Sequence, residues 1–365
     1  MDRRLRVALT LEQCWHRVPG GTAVAALGAA RELAAAGIDA VGVAAAHRSA
    51  PPEAWTPPIP VRHLRFPRVA LYESWHRFRR PPVQRATGPV DVVHATTFAI
   101  PPRSAPLVVT IHDLAFVHDP SNFTRHGVSF FNRGLELTTA EADAIVCPST
   151  STIEDCVDHG IERDRLKLVP LGVDAQRASE QDVSHVKHVY GLRRPYVLWV
   201  GTVEPRKNLH RLIQAFTELG RSDLDLILVG PQGWNEILEP LVARSKGQVR
   251  TLGFVPREDL GPLFAGATAF CFPSLLEGFG FPVLEAMAQG TPVVTSRGTS
   301  TEEISGGAAV LVDPHDPSGI AAGIASILDD EELAARLIRE GNERVAHYTW
   351  ERSSMQLADV YREVA

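Results

Sequence analysis

Short, mainly apolar runs recur along this chain and alternate with stretches of helical periodicity. Leu5 to Leu9, Ala40 to Ala46, Leu107 to Ile111, Ala144 to Cys147, Tyr196 to Val200 and Leu224 to Val229 are such runs. A run too short for a helix and apolar on both faces suits a strand buried on both sides, as in a parallel sheet. Between them, stretches such as Thr22 to Ala36 and Phe123 to Ala142 read as helices. The alternation fills both halves, with no tandem short repeat. The expected fold class is therefore α/β, with two doubly wound Rossmann-like domains facing a central cleft.

The most informative stretch is FPSLLEGFGFPVLEAMAQG, from Phe272 to Gly290. A strand ending at Phe272 runs into a loop with two glycines, Gly278 and Gly280, and Pro282 is expected at the first helical position, where its missing N–H costs nothing. Backbone N–H groups and a positive helix end then converge on one point, which suits phosphate. Glu277 precedes the helix and Glu285 falls one turn inside it. Carboxylates beside a phosphate site suit hydroxyls, so the pattern describes a sugar nucleotide. A loop-to-helix junction with solvated acids is the plain alternative.

Size and composition permit this. A chain of 365 residues with 44% apolar content is long enough for two cores. Cys14, Cys147, Cys156 and Cys271 form no CxxC pair or metal-like spacing and read as buried thiols in a reducing compartment. The charged start Met1 to Arg6 does not read as a signal peptide, and the alanine-rich Ala23 to Ala46, which carries Arg31, Glu32 and Asp39, is expected to be helix plus strand rather than a membrane span. Residues 1–110 hold 14 Arg against 7 Asp and Glu, a balance of +7, and the rest balances at −13, giving the net −6. A basic front end favours an acidic acceptor or a membrane surface, and no stretch reads as a nucleic-acid module.

Further candidates lie at predicted strand ends. Pro19-Gly20-Gly21 is expected as a turn before the helix Thr22 to Ala36, without the GxGxxG dinucleotide fingerprint. His112 and Asp113 end the Leu107 to Ile111 strand, on the ligand edge of an α/β sheet. Arg206 and Lys207, in GTVEPRKN, precede a helix starting near Asn208, so two cations reinforce an anion site. Leu224 to Val229 reaches Gly230-Pro231. Asp223 and Asp225 mimic a DxD metal motif but fall at the wrong end of that strand. Leu71, Trp75 and Phe78 recur at helical spacing among Arg68, Arg77, Arg79 and Arg80. That suits a packed helix with a basic solvated face, or a patch touching lipid head groups. Asp174 to Pro195, polar and weakly patterned, reads as a hinge.

Taken in order, PGG, TIHDLAF, CPSTSTIED, VPLGVD, GTVEPRKNL and LEGFGFPVLEAMAQGTPVV, with E-x7-E between Glu277 and Glu285, resemble the retaining glycosyltransferases of family GT4 over nearly the full length. The resemblance implies the GT-B fold. It implies an N-terminal acceptor-binding domain at 1–173, a donor-binding domain at 174–347, and a last segment, 348–365, packing back toward the first. It also implies residue roles. Glu277 would hold donor-sugar hydroxyls and Glu285 the ribose. Backbone groups at Gly278, Phe279, Gly280 and Phe281 would bind phosphates and sugar, and Arg206 and Lys207 would neutralise the leaving diphosphate in place of a metal. His112 would contact the sugar at the reacting centre. Gly20 and Gly21 would allow close approach of a ligand, and Phe254 and Val255 would hold the base. Thr202 and Gly230 complete the donor-binding set. Thr202 stands where many relatives carry a basic residue, so Arg206 would bear more of the diphosphate charge.

The implied activity is metal-independent hexosyl transfer from a GDP- or UDP-linked sugar to a hydroxyl acceptor with retention, mannose favoured and no cofactor needed. Domain closure would keep water from the donor. A cytoplasmic protein touching the inner membrane face through Arg68 to Arg80 is expected. An epimerase or phosphorylase on the same fold, or a non-catalytic sugar-nucleotide sensor, remain as alternatives.

Overall fold

The computed structural model describes residues 4–16, 19–233, 235–245 and 247–365. The chain divides into two compact units, Met1–Gly172 with Tyr348–Ala365, and Val173–His347.

In the first unit the strands are Leu5–Thr10 (β1), Ile38–Ala44 (β2), Val61–His63 (β3), Val92–Ala95 (β4), Leu107–Thr110 (β5), Ala144–Cys147 (β6) and Leu166–Leu168 (β7). They form one sheet in the order β3-β2-β1-β4-β5-β6-β7, every pairing parallel. The order reverses between β1 and β4, so the crevice favoured for ligands opens beyond their C-terminal ends. β4, β5 and β6 are buried along their whole length, as parallel strands covered on both faces must be. Apolar clusters on the two sides include Leu9, Leu27 and Tyr361 on one, and Val93, Trp75 and Leu137 on the other.

The terminal helix Trp350–Val364 belongs to this unit and lies against the helix Gly20–Glu32. Gly28 makes the approach: a Cβ there would collide with the Trp350 ring. Ser354 Oγ donates to Ala29 O at 3.0 Å, and the Tyr361 hydroxyl bonds to His94 Nδ1 at 2.7 Å. Of the stripe expected in Arg68–Phe78, Leu71 and Trp75 are buried, whereas Phe78 is 71% exposed. Arg79 is structural rather than free, donating to the Ile100 and Pro101 carbonyls at 2.9 and 2.8 Å and to Glu141 at 2.5 Å.

The second unit contains Tyr196–Val200 (β8), Asp225–Val229 (β9), Val249–Gly253 (β10), Ala269–Phe272 (β11), Val293–Ser296 (β12) and Val310–Val312 (β13). The sheet order is β10-β9-β8-β11-β12-β13, again all parallel. Its reversal lies between β8 and β11. The loops carrying Arg206-Lys207 and Glu277 are the ones that leave these two strands, so topology alone brings them together. The helix Leu209–Leu219 shows the local logic: Leu209, Leu212, Ile213 and Phe216 form one buried stripe, and Gly220 ends it at φ 64°.

The segment read as a hinge contains a helix, Glu180–Val189. Ser179 and Asp182 cap it reciprocally, each satisfying a backbone N–H of the other. It packs against Arg257–Ala265 with Val186 buried, which a sparse apolar pattern conceals in sequence. Asp223, of the DxD-like triplet, is exposed and paired with Arg221, whereas Asp225 is buried beside Arg194. No described helix is long and apolar enough to cross a membrane. All four cysteines are free and buried.

Candidate active site

In the second unit, β11 delivers Phe272 and the chain then turns through Pro273 to Gly280 before the helix Phe281–Ala288. The loop is stitched in place from both sides. Leu275 N–H donates to Arg206 O at 2.8 Å, and the Arg206 guanidinium donates to Leu276 O at 3.1 Å. Asn208 Nδ2 donates to Pro273 O at 2.9 Å and Pro314 O at 2.7 Å. Ser300 Oγ, at the first turn of Ser300–Ser305, donates to Glu277 O at 2.7 Å and Phe279 O at 3.2 Å. Gly280 stands at φ 107°, with a would-be Cβ only 2.9 Å from Thr301 Cγ2, so glycine is required twice over. Pro282 is the second helical residue, not the first as expected; Phe281 begins the helix. The proline still falls among the first-turn residues whose N–H has no partner in the helix.

Glu277 is the hub. Lys207 Nζ lies 2.5 Å from its Oε1 and Arg206 Nη1 lies 3.1 Å from its Oε2. Arg206 Nε is held in turn by Glu204 at 2.8 Å. Lys207 also sits 4.8 Å from the centre of the Phe272 ring. Two acids and two bases thus interlock with balanced charge in a largely buried cluster. Burial pushes the Glu277 carboxyl up, but the Lys207 and Arg206 charges outweigh it and the net shift is down. For Lys207, burial and the neighbouring Arg206 charge prevail over the two carboxylates and lower its pKa. Glu204 was not singled out in the sequence, where it reads as a loop residue beside a proline.

Glu285, half-buried in Phe281–Ala288, is pushed up to about 7 by burial, opposed by Arg257 and reinforced by Asp174. It is a carboxyl near the point of half-ionisation at neutral pH.

The β8 and β9 exits are bound backbone to backbone. Gly201 N–H donates to Val229 O at 2.9 Å and Val203 N–H to Pro231 O at 3.1 Å. Gly230, at φ 140°, lies so close that a Cβ would run into the Gly201 carbonyl. Thr202 is half-buried between these exits. After β10, Phe254 is 70% exposed and Val255 is buried.

In the first unit, Gly20 and Gly21 are the opening residues of the helix Gly20–Glu32 rather than a turn before it. Both are exposed, and a Cβ on Gly20 would meet nothing within 4 Å. His112, just beyond β5, bonds through Nε2 to Thr96 O at 3.1 Å. Burial lowers its pKa despite the Thr96 carbonyl and Asp113. His94, in β4, bonds to Tyr361 and Thr110 at 2.7 Å each and is pushed down to about 3 by burial and by His112. Burial thus disfavours the charged form of both imidazoles, one in β4 and one just beyond β5.

Comparisons with known proteins bear on the family and the fold. Residues 180–344 match the family "Glycosyl transferases group 1" and residues 19–177 match "Glycosyltransferase Family 4". The O-antigen chain mannosyltransferase B of Escherichia coli is 33% identical over 281 residues, covering 74% of each chain. The D-inositol 3-phosphate glycosyltransferase of Acidothermus cellulolyticus is 29% identical over 385 residues, covering 94% of this chain and 86% of that one. Among solved structures, Anabaena HepE in complex with UDP and glucose superposes with a TM-score of 0.77 at 19% identity, covering 98% of this chain and 100% of that one. WaaG, a glycosyltransferase of lipopolysaccharide biosynthesis, does so at 0.75 with 18% identity, covering 97% and 99%. The two parallel sheets are those of the GT-B fold, and the chain belongs to the family 4, group 1 glycosyltransferases.

Proposed function

We propose that this glycosyltransferase moves a hexose, mannose in preference, from a nucleoside-diphosphate sugar to an acceptor hydroxyl with retention at the anomeric carbon and without a metal. The observation that carries the reading is the Arg206–Lys207–Glu277–Glu204 cluster at the β8/β11 reversal. The mannosyltransferase relative at 33% identity supports the choice of sugar. The UDP and glucose held by the HepE structure keep UDP-hexoses open beside GDP-mannose.

In this mechanism Lys207 and Arg206 take up the charge that develops on the leaving diphosphate, the part a metal plays elsewhere. The anomeric C–O bond to phosphate breaks and leaves an oxocarbenium-like centre. A departing phosphate oxygen accepts the proton of the acceptor hydroxyl, whose oxygen forms the new glycosidic bond on the same face. No carboxylate nucleophile is needed, in contrast to retaining glycosidases. Glu277 orders the two cations and accepts hydrogen bonds from sugar hydroxyls. Glu285 takes the ribose hydroxyls, the main chain at Gly278 to Phe281 takes phosphate and sugar, and the loop at Phe254 and Val255 takes the base. Thr202 and Gly230 shape the floor of the donor site. His112 contacts the transferred sugar, and Gly20 and Gly21 leave room for the incoming ligand. The first unit is read as the acceptor domain and the second as the donor domain.

Buried free cysteines support a reducing, cytoplasmic setting. Val69 and Phe78 are 62% and 71% exposed on the helix that carries Arg68 and Arg77, which supports contact with an anionic membrane face. Incubation of GDP-mannose and of UDP-glucose with a panel of hydroxyl acceptors, methyl glycosides among them, followed by nucleotide analysis and NMR of the product anomer, tests the reading. Free nucleoside diphosphate with a new α-glycoside is expected. An epimerised nucleotide sugar, a requirement for inorganic phosphate, or no turnover would each overturn it.

A further inference from the structure

The C-terminal ends of β1, β2 and β3 carry a second group of titratable side chains, outside the roles assigned above. Glu12 follows β1 and is 3% exposed. Its Oε2 accepts from Ala45 N–H at 2.8 Å and bonds to His47 Nε2 at 3.1 Å. Its Oε1 lies 2.9 Å from the same nitrogen and takes no hydrogen bond from a described residue. The His47 ring stacks on Trp15, centroids 4.7 Å apart and planes 9° apart. Trp15 is anchored by its indole N–H to Ser49 O at 3.0 Å. His63 stands edge-on to His47 at 6.1 Å and is itself bonded to Ala45 O at 2.7 Å.

The imidazole is thus fixed in position. A carboxylate on Nε2 requires the proton there, so in the neutral ring Nδ1 is the acceptor. Nδ1 has no hydrogen-bond partner among the described residues, and the side chain is 19% exposed. A buried carboxylate is costly, and an apolar pair would serve stability better. This one sits on the strand edge where open α/β sheets take their ligands. A carboxylate-oriented imidazole backed by an indole plane is suited to a sugar, which offers hydroxyl donors and a C–H face.

We propose that His47, oriented by Glu12 and backed by Trp15, accepts a hydrogen bond from a hydroxyl of the acceptor, and that the acceptor presents a pyranose ring. The inference rests on the transferase reading above. His47 orients the acceptor only; the acceptor proton still leaves on the departing phosphate.

The test uses the full chain with GDP-mannose or UDP-glucose and methyl α-D-mannopyranoside as acceptor probe. The readout is the ratio of glycoside formed to donor hydrolysed by water, because water needs no acceptor subsite. His47→Ala and His47→Gln are compared with the parent protein. Glutamine reproduces the Nε2 donor to Glu12 but has no atom in the place of Nδ1. Both variants are expected to lower the ratio about tenfold, the scale of one lost hydrogen bond of about 1.4 kcal/mol. A parental ratio in His47→Gln would make the role structural and overturn the proposal. Hydrolysis of donor by the parent protein with no transfer to the pyranoside would overturn the acceptor class. Release of no nucleotide at all would instead count against the transferase reading. Should His47→Ala fail to fold, nitrogen-15 spectra of the parent histidines decide. They are expected to show Nδ1 unprotonated and shifted by the pyranoside, and an unshifted resonance contradicts the proposal.

Discussion

Lys207 Nζ stands 2.5 Å from Glu277 Oε1, with both side chains more than nine-tenths out of water. Neither charge would be stable at that depth alone. Each is tolerable because the other is there, and a diphosphate is the kind of ligand that could replace or share the carboxylate as partner to the ammonium.

Lys207→Ala should therefore lower turnover about a hundredfold or more, the scale seen when a preorganised charge is removed from a developing anion. The fold should survive, because Arg206 continues to pair with Glu277. Steady-state kinetics alongside a melting curve check both halves of this statement; undiminished turnover contradicts the assignment.

Glu277→Ala is the harsher change. It strips a partner from two cations at once, and leaving a buried charge uncompensated costs about 3–5 kcal/mol. A large drop in denaturation midpoint together with loss of transfer is expected. Glu277→Gln, which keeps the shape and some hydrogen bonding, should recover stability but not turnover.

Glu204→Gln addresses a residue that sequence reading did not reach. Its carboxylate fixes Arg206 Nε at 2.8 Å, a charge-assisted bond of about 1.5–3 kcal/mol. Loosening the guanidinium should weaken donor affinity about tenfold while the acceptor constant stays put. Equal loss on both substrates would indicate a general structural role.

Much of this site could be read from the sequence because its parts are local. Pro205 to Lys207 and Leu276 to Pro282 are each contiguous, and the buried runs of β8 and β11 fixed their place at strand exits. Where information was distributed, the reading fell short. The pairing of Glu12 with His47 depends on β1 and β2 lying side by side in a parallel sheet, which brings residues 35 positions apart to one edge. The helix Glu180–Val189 shows few apolar positions, and its capping box was the better signal. Phe78 matched the spacing of a buried stripe, yet the helix ends there with Arg79 at φ 53° and leaves the ring in solvent. Periodicity identifies a face but not how far along it the core extends.

Glu285 supplies a pH dependence. Its carboxyl is raised from 4.5 to about 7, so the folded chain holds this proton more tightly than the unfolded one. The resulting stability is complete below about pH 4.5 and is lost as pH rises through about 7. If ribose hydroxyls bind the ionised form, nucleotide binding expels the proton, and affinity should be about tenfold weaker near pH 6 than near pH 8. Glu285→Gln should flatten both profiles. Calorimetry in two buffers of different ionisation heat measures the released proton directly.

Gly230→Ala tests the proposed place of the β8 and β9 exits in the donor site. At φ 140° and against the Gly201 carbonyl, an added methyl must part the β8 and β9 exits. Overpacking of this kind costs about 1–3 kcal/mol. A lower melting temperature with weakened nucleotide binding is expected, and an unchanged protein would show that the two strand ends are not held as described.

The central claim is that protein cations at the β8/β11 reversal, and not a divalent ion, hold the donor diphosphate. Titration of GDP-mannose and of UDP-glucose into the parent protein and into Lys207→Ala, both in excess EDTA, tests it most directly. Saturable binding of one donor to the parent, weakened tenfold or more in the variant, is the predicted result. Binding that appears only when magnesium or manganese is restored, or an affinity indifferent to Lys207, would contradict it.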